Sequence, residues 1–171
     1  ADATAREVVA RGTPGRTAIV REFGEGVLTE EGDLDRKKLG AIVFADKQKR
    51  ELLNSIVHPL VIEAQDRWIS DVEKADPDGI AVIDAALMIE SGGYKRFDKL
   101  IVVWCNSAIQ LERLMRRDAL SETEAKKRVA AQMPQDEKKK FADHLIDTSL
   151  GFDDTRAQVK DIVRRLKMST E

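Results

Sequence analysis

The 171-residue sequence has one cysteine, Cys105, so no internal disulfide can form, and only two histidines, His58 and His144. With so few soft ligands a zinc site is not expected, and Cys105, at the end of an apolar run, reads as an inert core thiol. No apolar run is long enough to cross a bilayer. No stretch reads as a secretory signal, which makes a reducing, cytoplasmic setting the expectation. There is no dominant charge sign either. The formal net charge is −2, which gives no global field to recruit nucleic acid. Internal repeats and low-complexity segments are also missing. What remains is 42% hydrophobic and 35% charged residues, the balance of a globular chain.

The first half reads as helix. Residues 3–10 follow Asp2 as an N-cap. Thr13-Pro14 opens a second helix that carries Ile19, Val20 and Phe23 inward and stops at Gly24. Residues 24–34 are turn-rich. Asp35 and Asp46 are caps for two further helices. His58-Pro59 is expected to interrupt the chain before a longer helix bearing Val61, Ala64, Trp68 and Val72. Asp76-Pro77-Asp78-Gly79 closes the block.

The pattern then changes. Ile80-Ala81-Val82-Ile83 and Leu100-Ile101-Val102-Val103-Trp104 are continuous apolar runs, the signature of parallel strands covered on both faces. Ser107 is placed as the cap of a helix through residue 117. Ser121-Glu122-Thr123-Glu124 is a capping box, and Met133-Pro134 stops the helix it opens. Residues 141–146 offer a third short strand, and 153–167 a final amphipathic helix. Strands alternating with helices predict an α/β layered fold with a parallel sheet, the helical block being an insert.

In such a sheet ligands bind at the carboxyl ends of the strands. The polar residues to weigh there are Asp2, Arg6, Asp84, Glu90, Arg113 and Arg117. Arg113, Arg116 and Arg117 share one predicted helix, and Lys126, Lys127 and Arg128 the next. Guanidinium groups suit phosphate oxygens because two N–H bonds form at once. The same arginines equally describe a solvated face paired with Glu112, Asp118, Glu122 and Glu124. Asp2 and Arg6, spaced i, i+4, are either a surface pair or a carboxylate kept ionised at a helix start. A lone histidine before proline is more often structural than a ligand.

Several segments taken together resemble one family. Asp2-Ala3-Thr4-Ala5-Arg6-Glu7-Val8-Val9, Leu28-Thr29, Leu34-Asp35-Arg36, Leu39, Val43-Phe44, Ile56-Val57-His58-Pro59-Leu60, Gln110–Asp118 and Leu120–Pro134 are similar, in order and spacing, to dephospho-coenzyme A kinases. The resemblance runs along nearly the whole chain. It implies a three-layer parallel sheet of the P-loop kinase type, with a helical insert domain and a small helical lid. Residues 1–78 would form the helical domain that binds the coenzyme A substrate. Residues 79–108 and 141–171 would form the nucleotide-binding core, and 109–140 the lid. It implies transfer of the ATP γ-phosphate to the ribose 3′-hydroxyl of dephospho-coenzyme A, with Mg²⁺ entering on ATP and no metal site made by the protein alone. It places Asp2 on the carboxylate that orients or deprotonates that hydroxyl, and Arg113 on a phosphate-contacting arginine. Arg117 would be a second phosphate-side group, and Arg6 and His58 coenzyme A-side groups.

Three departures stand beside this. No G-x-x-x-x-G-K-[ST] loop occurs in the sequence, Ala86 replaces the family's usual proline, and Thr148 stands where an asparagine is common. The expectation is that a strand and phosphate loop precede Ala1. Two rival readings are a non-catalytic coenzyme A-binding module and a kinase of other nucleosides or nucleotides.

Overall fold

Capping side chains decide where most helices begin, and packing decides which of them persist. The computed structural model describes residues 2–168, with the side chain of Asp2 outside that description. The chain divides into two compact units, residues 1–85 and 86–171.

The first unit is helical. Helix α1 spans Asp2–Glu7. Helix α2, Pro14–Phe23, starts where the Thr13 hydroxyl accepts the Arg16 N–H, and ends at Gly24, whose φ of 80° a side chain would strain. Helix α3, Arg36–Ala45, and helix α4, Lys47–Ala75, are capped by Asp35 and Asp46, each accepting two backbone N–H bonds. Between α2 and α3 a 3₁₀ turn, Glu25–Val27, leads into a loop closed by an antiparallel bridge from Leu28 to Leu34. Arg16 donates to the Gly32 carbonyl and Arg11 to that of Glu31, which fixes the loop. Val9, Ile19, Val27 and Leu39 form the buried centre, with Phe23, Leu53, Ile56 and Val57 packed on it. Gly15 is required by close approach. A Cβ there would lie 2.3 Å from the Val8 carbonyl oxygen and 2.7 Å from Leu60 Cδ1.

Two expectations fail here. His58-Pro59 does not interrupt the chain, for α4 is continuous through Pro59. Proline within a helix removes one hydrogen bond and crowds the carbonyl four residues back, at a cost of about 3 kcal/mol. His58, Pro59 and Ser55 are all exposed, so water reaches the freed carbonyl. Leu53, Ile56 and Val57 before the proline, and Leu60 after it, hold both halves against the same core. The strand expected at Ile80–Ile83 is also not found. Residues 79–85 have no regular structure, and Ile80 and Val82 are 41% and 69% exposed. A strand needs a ladder partner, and none of the described residues supplies one.

The second unit is α/β. Strand β1, Ile101–Trp104, pairs in parallel with β2, His144–Asp147, in the register Ile101–His144 to Trp104–Asp147. Four helices complete the unit: α5 (Ser107–Asp118), α6 (Glu122–Ala130), which packs on α5, α7 (Gln135–Lys139), which packs on β1, and α8 (Phe152–Met168), which packs on β2. The capping box at Ser121 and Glu124 is present in both directions. The cap of α5 is Asn106, whose side chain accepts the Ala108 N–H, rather than Ser107. The α5–α6 turn is tight, with Ala119 at φ 52°. Val102, Ile146 and Ile162 are buried where β1, β2 and α8 meet.

Candidate active site

The carboxyl ends of β1 and β2 carry the densest set of side-chain to backbone hydrogen bonds in the second unit. Beyond Trp104 the strand must turn into α5, which leaves backbone groups without ladder partners. Side chains satisfy them. Gln135 Oε1 accepts the Cys105 N–H at 3.0 Å, and Ser149 Oγ accepts that of Asn106 at 2.9 Å. Thr148 donates its hydroxyl to the Trp104 carbonyl at 3.0 Å. Asp147 accepts the Ser149 N–H, and the Ser149 hydroxyl and backbone hold its carboxyl below the usual range.

Arg113 reaches this rim from α5. Its Nη1 donates to Thr148 Oγ1 at 3.0 Å and its Nη2 to the Thr148 carbonyl at 2.8 Å. The guanidinium is thus fixed in a fork beside the strand ends, while the residue stays exposed and keeps unused donors. Lys139 lies 3.4 Å from the Trp104 ring centroid, a cation–π contact that covers the end of β1. Gln135 also donates to Gln110 at 2.8 Å, which ties α7 to α5.

Arg117 is one turn further along α5. It makes a two-point contact with Asp118, at 2.8 and 3.1 Å, and Arg128 of α6 approaches the same carboxylate at 2.6 Å. The Arg117 hydrogen bond, foremost among the causes, lowers the carboxyl of Asp118 below its ordinary 3.8. Two cations thus share one carboxylate at the α5–α6 hairpin. Arg116 faces Glu112 at 4.0 Å, which is a solvated pair.

In the helical unit, Thr4, Ala64, Gln65, Trp68, Val82, Ile83 and Asp84 line a shallow cavity of about 200 Å³. Gln65 is 6% exposed at its wall. Asp2 stands one residue pair before Thr4 on α1, and its side chain lies outside the described residues. Arg6 is exposed at the end of α1, and His58 is exposed on α4. Neither lines that cavity. A second groove of about 350 Å³, beside Asp143, His144, Asp161 and Arg165, begins at the amino end of β2, away from the ligand-binding end of a parallel strand.

The structure therefore brings Arg113 to the strand ends and sets Arg117 in an arginine cluster. Glu90 belongs elsewhere: it accepts from Lys138 and from the Met133 N–H. Sequence reading missed Gln135, Ser149, Lys138 and Lys139. Gln135 meets its partners 25 and 30 residues away, and Ser149 meets Asn106 across 43. No local periodicity marks such pairs. Among the described residues no three His, Cys, Asp or Glu side chains converge as metal ligands. No helix among them is long and apolar enough to cross a membrane.

Comparison with known proteins identifies the family. Residues 1–154 match the family model described as dephospho-CoA kinase. The dephospho-CoA kinase of Bacillus licheniformis is 46% identical over 167 residues, covering 95% of this chain and 81% of that one. The solved dephospho-CoA kinase of Campylobacter jejuni superposes with a TM-score of 0.71 at 27% identity, covering 99% of this chain and 84% of the other. The Thermus thermophilus protein TT1252, at 23% identity and a TM-score of 0.78, shares the fold over 96% of this chain and 81% of its own. The fold is that of the P-loop kinases, and the chain belongs to the dephospho-CoA kinase family.

Proposed function

We propose that the protein transfers the γ-phosphate of ATP to the ribose 3′-hydroxyl of dephospho-coenzyme A, the closing step of coenzyme A synthesis. Family membership sets the reaction class. The observation in the molecule that carries the reading is Arg113, held as a fork on Thr148 at the carboxyl ends of the two parallel strands. There it has donors left for phosphate oxygens.

In this reading the 3′-oxygen attacks the γ-phosphorus as the bond to the β,γ-bridging oxygen breaks, and ADP leaves. Asp2 orients the hydroxyl and takes its proton, helped by its place at the start of α1. Arg113 offsets charge that develops on the transferring group, and Arg117 reinforces it from the hairpin tip. Arg6 and His58 serve the coenzyme A side. Residues 1–78 bind dephospho-coenzyme A, residues 79–108 and 141–171 form the nucleotide core, and 109–140 act as the lid. Mg²⁺ would arrive with ATP and would supply charge neutralisation for the phosphates. The described residues offer no converging ligand set for it, so no step is assigned to a protein-held metal. The single thiol and modest net charge fit a cytoplasmic enzyme of small substrates rather than of nucleic acid.

A substrate panel tests the proposal. With ATP as donor, the protein expressed from its own gene should turn over dephospho-coenzyme A far faster than nucleosides or nucleoside monophosphates. A preference for a nucleoside monophosphate would overturn it.

A further inference from the structure

Helix α7 is only five residues long, yet it is fastened at both ends to the segment that follows residue 85. Before its first turn, the Met133 N–H donates to Glu90 Oε1 at 3.2 Å. In the second half of the helix, Lys138 Nζ lies 2.8 Å from the same Glu90 oxygen and donates to the Ala86 carbonyl at 3.2 Å. After the helix, the Phe141 ring meets Tyr94 edge to face, with centroids 5.5 Å apart. The Glu90–Lys138 pair is shielded, its side chains 23% and 15% exposed. A surface pair such as Lys47–Glu51 leaves 78% and 63% exposed. Shielded pairs hold geometry that solvated pairs do not.

The joint matters because of what hangs from it. Met133-Pro134 lies in the short link from α6 to α7. The α5–α6 hairpin therefore has two roots. One is α5 at Asn106 and Arg113, bound to Ser149 and Thr148. The other is this joint. Gln135, the first residue of α7, links the two roots by reaching both Cys105 and Gln110.

We infer that Glu90 and Lys138 are positioning residues, which set the second root of the α5–α6 hairpin and so the placement of the hairpin that holds Arg113 at the strand ends and carries Arg117 and Arg128. The inference rests on the kinase reading for its functional consequence. Neither residue touches substrate. Both act through the hairpin, so they govern the ATP side of the reaction and leave dephospho-coenzyme A recognition alone.

The test uses K138M, K138R and E90Q in the protein expressed from its own gene. It reads KM for ATP, kcat, the dissociation constant for dephospho-coenzyme A, and exchange of the Met133 amide. K138M is expected to raise KM for ATP or lower kcat by about tenfold, the scale of a slight misplacement of catalytic groups, with dephospho-coenzyme A affinity unchanged within about twofold. K138R should recover most of the loss, since it keeps the charge. E90Q has the same shape and should speed exchange at Met133. Wild-type kinetics in both K138M and E90Q would overturn the inference. So would equal losses for both substrates alongside a lowered melting temperature, which would make the pair merely structural. If K138M does not fold, the isosteric E90Q carries the test alone. If the wild type makes no coenzyme A, the kinase reading fails instead. Met133 exchange in E90Q then decides the positioning claim, and unchanged protection would end it.

Discussion

The two units solve the same problem, fixing a chain around a site, by different means. In residues 1–85, the long α4 presents an apolar face to α1, α2 and α3, and polar side chains act mainly as caps and loop ties. In residues 86–171 two short strands provide little core, and side chains from distant segments bind the backbone at their carboxyl ends. Packing tolerates small shifts in polar geometry, whereas a hydrogen-bonded rim fixes individual donors. In the proposed reaction the helical unit would serve recognition by shape, and the α/β unit placement of charge on the transferring phosphate.

That contrast is broken most severely at the proposed chemistry. Asp2→Asn should lower kcat by about 10²–10⁴-fold with ATP affinity nearly unchanged, measured by steady-state kinetics and direct nucleotide binding. Comparable turnover would remove Asp2 from its role. Arg113→Ala should cost about 10²–10³-fold in turnover and leave Thr148 held by the Trp104 carbonyl without its arginine brace. Near-wild-type kinetics would make the arginine only a brace for the β2–α8 connection.

Stability variants sharpen the other half. Ile19, 1% exposed in the helical core, should lose about 2–5 kcal/mol as Ala in denaturant unfolding. Gly15→Ala should lose about 1–3 kcal/mol or more, because the new Cβ meets backbone as well as Leu60. An unchanged midpoint would show that α2 is free to move away from Val8. Thr13→Ala should remove about 0.5–2 kcal/mol through its cap. The smallest effect is on pH dependence. Burial raises the Glu90 carboxyl, but the Lys138 and backbone hydrogen bonds outweigh it and leave it below its ordinary 4.5. A carboxyl lowered in the folded state contributes stability above its unfolded value and loses it as pH falls through the folded one. Acid titration of E90Q should therefore show a shallower loss of stability below about pH 4.5 than the parent.

Much of this was legible locally. Thr13, Asp35, Asp46 and the Ser121–Glu124 box cap the helices that their positions predict, because capping depends on residues within one turn. Within Leu100–Trp104, Ile101–Trp104 becomes β1 because β2 supplies its ladder. Ile80–Ile83 has the same composition without such a partner. Pro59 breaks a local rule that long-range packing overrides. At the candidate site the arginine helix was visible, but the Thr148 brace on Arg113, 35 residues away, and the Glu90–Lys138 tie were not. Such contacts are fixed by the fold and leave no spacing to read.

The most direct test of the central claim follows the phosphate itself. The protein expressed from its own gene is incubated with dephospho-coenzyme A and ATP labelled with heavy oxygen on the γ-phosphate, and the products are resolved by mass and phosphorus spectra. The account predicts coenzyme A carrying the label on its 3′-phosphate, with one ADP formed per coenzyme A. Label found only in inorganic phosphate, with dephospho-coenzyme A recovered unchanged, would contradict it.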